Sequence, residues 1–131
     1  MDASSFFSTA GELKSLVSRY LAAGARNTAP AVLLKLSADD NDHVRRRVAE
    51  NPNTPGQALS ALSQDDVDEV RLAVALNRRT PPQVLQQLSD DLNPEVRFAI
   101  AANETMPDSI LLGLFLDADP WVADRASQTL S

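Results

Sequence analysis

Val70-Arg71-Leu72-Ala73-Val74-Ala75-Leu76-Asn77-Arg78-Arg79-Thr80-Pro81-Pro82-Gln83-Val84-Leu85-Gln86-Gln87-Leu88-Ser89-Asp90-Asp91 holds two short apolar stripes divided by a turn. Val70, Ala73, Val74 and Asn77 fall at i, i+3, i+4 and i+7, one face of a first helix. Val84, Leu85 and Leu88 give the stripe of a second. Thr80-Pro81 should open that second helix. The Thr hydroxyl can accept from a free first-turn N–H, and Pro at the next position loses no helical bond. Neither helix is long enough to stand alone in water.

Working outward, the same letters return every 26 residues. Val44, Val70, Val96 and Val122 keep this step, as do Asn51, Asn77 and Asn103, and Pro55, Pro81 and Pro107. Leu33, Leu59, Leu85 and Leu111 keep it too, with Leu36, Leu62, Leu88 and Leu114, and Asp39, Asp65, Asp91 and Asp117. Asn93-Pro94 and Asp119-Pro120 stop one unit and turn the chain into the next. One unit cannot bury its apolar face, but stacked units can. The spacing predicts an all-α solenoid of about four two-helix repeats, elongated and curved, with a Val and Leu core and no sheet.

The ends read as caps on a single domain covering 1–131. Residues 1–8 are Ser-rich and expected to be flexible, with Phe6 and Phe7 available to fold back on the first core layer. Residues 9–26 read as an N-terminal capping helix. Thr9 and Glu12 fit a capping box, and Leu13, Leu16, Val17, Tyr20 and Leu21 form its stripe. Repeats fill 27–120, the first of them a degenerate half-unit. A closing helix over 121–131 lacks the Asn and Arg columns.

Val44-Arg45-Arg46-Arg47-Val48-Ala49-Glu50-Asn51-Pro52-Asn53-Thr54-Pro55, followed by Leu59 and Leu62, resembles the leucine-rich repeat variant family, a relative of HEAT-type helical repeats. The likeness covers roughly 27–131. It implies a right-handed superhelix of α-helices alternating with short 3₁₀ or α-helices. It implies interaction surfaces and no shared catalytic activity. An iron–sulfur cluster on a Cys-rich segment, known in the family, cannot be carried over to a chain with no Cys.

Composition narrows the function. The 131 residues carry 12 Lys or Arg and 18 Asp or Glu, a net charge of −6. Without Cys there are no disulfides, thiolate metal sites or Cys nucleophile. The single His, His43, excludes a His-rich metal site. No apolar run reaches the ~20 residues of a membrane span, and the start lacks the pattern of a secretion signal. These features predict a cytoplasmic protein. No phosphate loop, nucleophile elbow or metalloprotease helix is present.

Asp39, Asp65 and Asp91 each precede Arg45, Arg71 and Arg97 by six residues. They read as a structural ladder, in which Asp takes a charge-assisted bond from Arg within or between units and also accepts N–H bonds from the start of the next helix. Ala123 breaks the Arg column, and the sequence leaves open whether Arg125 replaces it. Asn51, Asn77 and Asn103 sit where first helices end, where Asn tolerates the left-handed region and its amide can bond buried turns. The acidic linkers Asp39-Asp40-Asn41-Asp42 and Asp65-Asp66-Val67-Asp68-Glu69 fail the spacing of a calcium loop. Arg45-Arg46-Arg47 and Arg78-Arg79 are the basic runs, but the acidic balance opposes nucleic acid as a partner.

The irregular positions carry the functional candidates. Two residues after each repeat Val stand Arg46, Leu72, Phe98 and Asp124; four further on stand Glu50, Leu76, Ala102 and Gln128. Leu72, Leu76 and Phe98 are either an apolar patch for a partner or residues packed beneath a neighbouring helix, and the needs of a two-helix layer favour the second. Leu112, Leu116 and Trp121 form a second candidate, sealing the last core layer or making a homodimer through the C-terminal end. The sequence therefore predicts a non-catalytic protein–protein interaction module or small scaffold with no cofactor and no membrane contact. A lyase-like or chaperone-like subunit is the alternative, and nucleic-acid binding the third.

Overall fold

The computed structural model describes residues 10–131, with side chains from residue 15 onward. The readings placed on Phe6, Phe7, Thr9, Glu12 and Leu13, and on the flexibility of 1–8, lie outside the described residues. These contain nine α-helices and no strand: α1 Ala10–Gly24, α2 Pro30–Leu36, α3 Asp42–Glu50, α4 Gly56–Leu62, α5 Asp68–Leu76, α6 Pro82–Leu88, α7 Pro94–Ala101, α8 Asp108–Phe115 and α9 Pro120–Leu130. The second helix of every repeat is α-helical.

The odd-numbered helices form one row and the even-numbered helices another. Each odd helix packs on the next along the whole chain, whereas consecutive even helices barely meet. A stack spaced more tightly along one row bends toward that row. The odd-numbered row therefore lines the inner, concave side. Val44, Val48, Val70, Val74, Val96 and Ile100 are all fully buried and form the seam between the rows with Leu33, Leu59 and Leu62. Each such side chain contributes roughly 1.5–3 kcal/mol by leaving water, which no single hairpin could gather alone.

Helix starts follow two rules. The odd helices α3, α7 and α9 are capped by Asn41, Asn93 and Asp119, whose side chains accept from first-turn N–H groups. The even helices have no side-chain cap. Here the expectation for Thr80 is corrected. Pro81 is the N-cap residue of α6, and the Thr80 hydroxyl instead donates 2.7 Å back to the Val74 carbonyl at the end of α5. Thr54 does the same to Val48 at 2.6 Å, and Thr28 to Ala22. A buried last-turn carbonyl needs a donor more than an open helix start does. No helix of the described residues is long and apolar enough to cross a membrane.

Candidate functional site

Two polar ladders hold the concave row in register. In the first, Arg45 Nε donates to Asp65 at 2.7 Å, Arg71 to Asp91 at 2.8 Å and Arg97 to Asp117 at 2.8 Å. The partner lies twenty residues ahead, where the chain returns from the even helix. The sequence leaves open which Asp each Arg meets: each Arg reaches the carboxylate ahead and only the backbone of the Asp six residues behind it. Arg45 Nη1 donates to the Asp39 carbonyl, Arg71 to that of Asp65 and Arg97 to that of Asp91. The carboxylate of each preceding Asp belongs to the preceding Arg. Its other oxygen accepts the N–H two residues on, as at Asn41, Val67, Asn93 and Asp119.

Sequence reasoning missed the first rung. Arg19 Nε donates to Asp39 at 2.7 Å, one 26-residue step before Arg45. Stepping the Arg column backward would have found it, although the Val column fails there at Ser18. Arg125 does not extend the ladder; it bonds Gln128. The pairing pushes Arg45, Arg71 and Arg97 up, chiefly through their bonds to Asp65, Asp91 and Asp117. It holds the Asp117 carboxyl below the usual carboxylate range, chiefly through Arg97. These groups are committed to the stack and to one another.

The second ladder joins successive repeats. Asn51 Nδ2 donates to the carbonyls of Ala23 and Ala25, each at 2.9 Å. Asn77 Nδ2 donates to those of Ala49 and Asn51. Neither residue is left-handed: Asn51 has φ −71° and Asn77 φ −79°. The amide, rather than backbone tolerance, explains Asn here. Asn103 departs from the ladder. It is half-buried, its oxygen accepts from Thr105, and its amide nitrogen makes no bond to the repeat behind. Its turn is also the one where Met106 stands in place of Thr54 and Thr80.

What the ladders leave free is the open side of the concave row. Leu72, Leu76, Phe98, Ala102 and Trp121 line a groove of about 540 Å³ across α5, α7 and α9, with Glu95 and Asp119 as its charged residues. Leu72 is partly buried against the core, as the packing reading requires. Leu76 and Phe98 do not follow that reading: they are 65% and 40% exposed. Trp121, 75% exposed, joins this groove, and Leu112 and Leu116 do not. The structure thus regroups the two sequence-predicted patches. Leu112 instead sits on α8 and Leu116 at its C-cap, both exposed with Phe115. Their counterparts one repeat earlier, Gln86, Ser89 and Asp90, line the cleft between α6 and α8. This face of α8 is therefore where a further even-row helix would lie.

Toward the other end of the row, next to α1, helix α3 carries Arg45, Arg46 and Arg47 beside Asp42 and Glu50. The Arg47 guanidinium lies 4.7 Å from the centre of the Tyr20 ring. It occupies the space that the missing side chain of Gly24 leaves open. Its Nε is buried with no hydrogen-bond partner, and no described carboxylate pairs with it. Arg46 beside it is half-exposed, 3.8 Å from Glu50. His43 is exposed on the same helix.

Residues 42–67 and 68–93 each match the family model described as leucine rich repeat variant. These two windows, 52 of the 131 residues, are similar to leucine rich repeat variant repeats. Each matched window holds one complete Arg–Asp rung, Arg45 with Asp65 and Arg71 with Asp91. In this chain each matched unit is a latched hairpin, and the amides of Asn51 and Asn77 tie one unit to the next. Helical repeats of this kind are generally associated with protein–protein interaction. Neither the curated proteins nor the solved structures provide a match to the chain.

Proposed function

We propose that the protein is a non-catalytic interaction module that receives a partner protein on its concave row. The observation that carries this reading is the groove of Leu72, Leu76, Phe98 and Trp121, an apolar surface left open beside ladders whose polar groups are already paired. A contiguous apolar patch rimmed by charge is the usual form of a docking site. The recurring polar residues serve the stack rather than a reaction, which supports a role without catalysis. A cytoplasmic location fits a chain without Cys.

The test is a selection of displayed helical peptides on the wild-type protein and on a Leu72→Asp/Phe98→Asp variant checked for folding by circular dichroism. Peptides with an i, i+3/i+4, i+7 apolar stripe should be enriched on the wild type and lost on the variant. Failure to enrich any such peptide, or their survival on the variant, overturns the groove.

A second surface supports self-association. Leu112 and Phe115 on α8 and Leu116 at its C-cap stand exposed where the preceding repeat presents Gln86, Ser89 and Asp90. We propose that two copies meet through this end. Sedimentation should show a concentration-dependent dimer in the wild type and a monomer in Leu116→Asp; a monomer in both overturns it.

A further inference from the structure

The concave row is electrically divided along its length. Helix α3 presents the Arg47 guanidinium over the Tyr20 ring, with Arg46 beside it already 3.8 Å from Glu50. The next helices present Glu69 and Glu95, exposed at the register that His43 holds on α3, and Asp119 lines the groove with Glu95. No basic residue lines the groove. Leu72 and Leu76 lie on α5 with Glu69, between Arg47 on α3 and Glu95 on α7. The groove has acid where a partner needs base, and α3 has base where a partner needs acid.

Building on the groove reading above, we infer that the occupant is a bipolar amphipathic helix, acidic at its start and basic at its end, laid along the row from α3 toward α9. Its carboxylate lies over Arg47, its apolar stripe fills the groove, and its Lys or Arg faces Glu95 and Asp119. Packed helices sit about 8–10 Å apart, so α3 to α7 spans about 18 Å, or about 12 helical residues at 1.5 Å each. Reaching Trp121 on α9 takes about 18. The direction follows from the partner itself, because a helix favours acids in its first turn and bases in its last. Charge across the interface sets orientation and register, while the apolar stripe supplies most of the affinity. Arg47 is suited to its part. A guanidinium already stacked on an aromatic ring loses little freedom on receiving a carboxylate, and it can grip both oxygens at once.

The test uses two synthetic helical peptides of about 18 residues, sharing one apolar stripe. One carries acids in its first turn and bases in its last; the other has these charges exchanged. Binding of each is measured to the wild type, to Arg47→Glu/Glu95→Arg, and to Arg47→Gln/Glu95→Gln, all checked for folding. Taking the ratio of affinities on each protein removes the difference in helicity between the peptides. The first peptide should be favoured about tenfold more strongly by the wild type than by the neutral variant, with the excess shrinking in high salt. The charge-exchanged variant should reverse the preference. An equal ratio on all three proteins overturns the bipolar helix and leaves the groove intact. No binding of either peptide to any of them overturns both.

Discussion

The guanidinium of Arg71 grips the carboxylate of Asp91, twenty residues ahead in its own repeat, and touches only the backbone of Asp65 behind it. Both side chains are largely shielded, at 15% and 8% exposure. Arg71→Ala removes the latch of the central repeat and leaves Asp91 without its cation. The expected loss is about 3 kcal/mol, read from urea unfolding. Arg71→Lys keeps the charge but not the fork that reaches both partners, so it should restore only part of it. An unchanged unfolding midpoint for Arg71→Ala would sink the latch.

Asn77 and Asn103 occupy the same repeat position and should not cost the same. Asn77→Ala removes two buried bonds into the preceding repeat, a loss of about 2 kcal/mol. Asn103→Ala removes only turn bonds at a half-buried site and should cost less than about 1 kcal/mol. The two midpoints measured side by side decide it.

Thr80→Val keeps shape and removes one of two donors to the Val74 carbonyl, the Asn77 N–H at 3.1 Å being the other. The loss is that of one buried hydrogen bond, about 1 kcal/mol, visible as a lower melting temperature. If Thr80 were a helix cap instead, Thr80→Asn would preserve stability; with the hydroxyl aimed backward into the turn, Thr80→Asn should destabilise as well.

The folded Asp117 carboxyl is held below its ordinary range by Arg97. A depressed carboxyl stabilises the fold above its unfolded value, about pH 4, and loses that contribution as pH falls through the folded value. Wild type should therefore lose stability on acidification below about pH 4. Asp117→Asn should start lower at neutral pH and fall less steeply. Melting temperatures across this range check both slopes, and parallel curves would show that Asp117 does not contribute.

The architecture was legible because the columns at 26-residue spacing dictate stacked hairpins whatever their details. Val70 and Leu85 announce a core by position alone. The partner of Arg71 was not legible. Asp65 and Asp91 belong to the same column, and only the return of the chain through α6 brings the later one within reach. The Thr80 hydroxyl was misread for a related reason. Its sequence neighbours suggest a cap, while the carbonyl it serves is six residues back. Trp121 was grouped with Leu112 and Leu116 by proximity along the chain, but the row of odd helices carries it to Phe98. The unpaired guanidinium of Arg47 left no signal, since nothing in the letters separates Arg47 from the two Arg residues before it.

Compliance in a jointed rod is set by its least fastened seam. The turn at Asn103 sends no amide across to the repeat behind it, whereas the seams at Asn51 and Asn77 each carry two such fasteners. The groove straddles that very seam, with Leu76 on one bank and Phe98 on the other. A guest wedged between them would work against fewer ties than it would meet between α1 and α5, so under the proposed docking the rod would adjust its curvature at the groove itself.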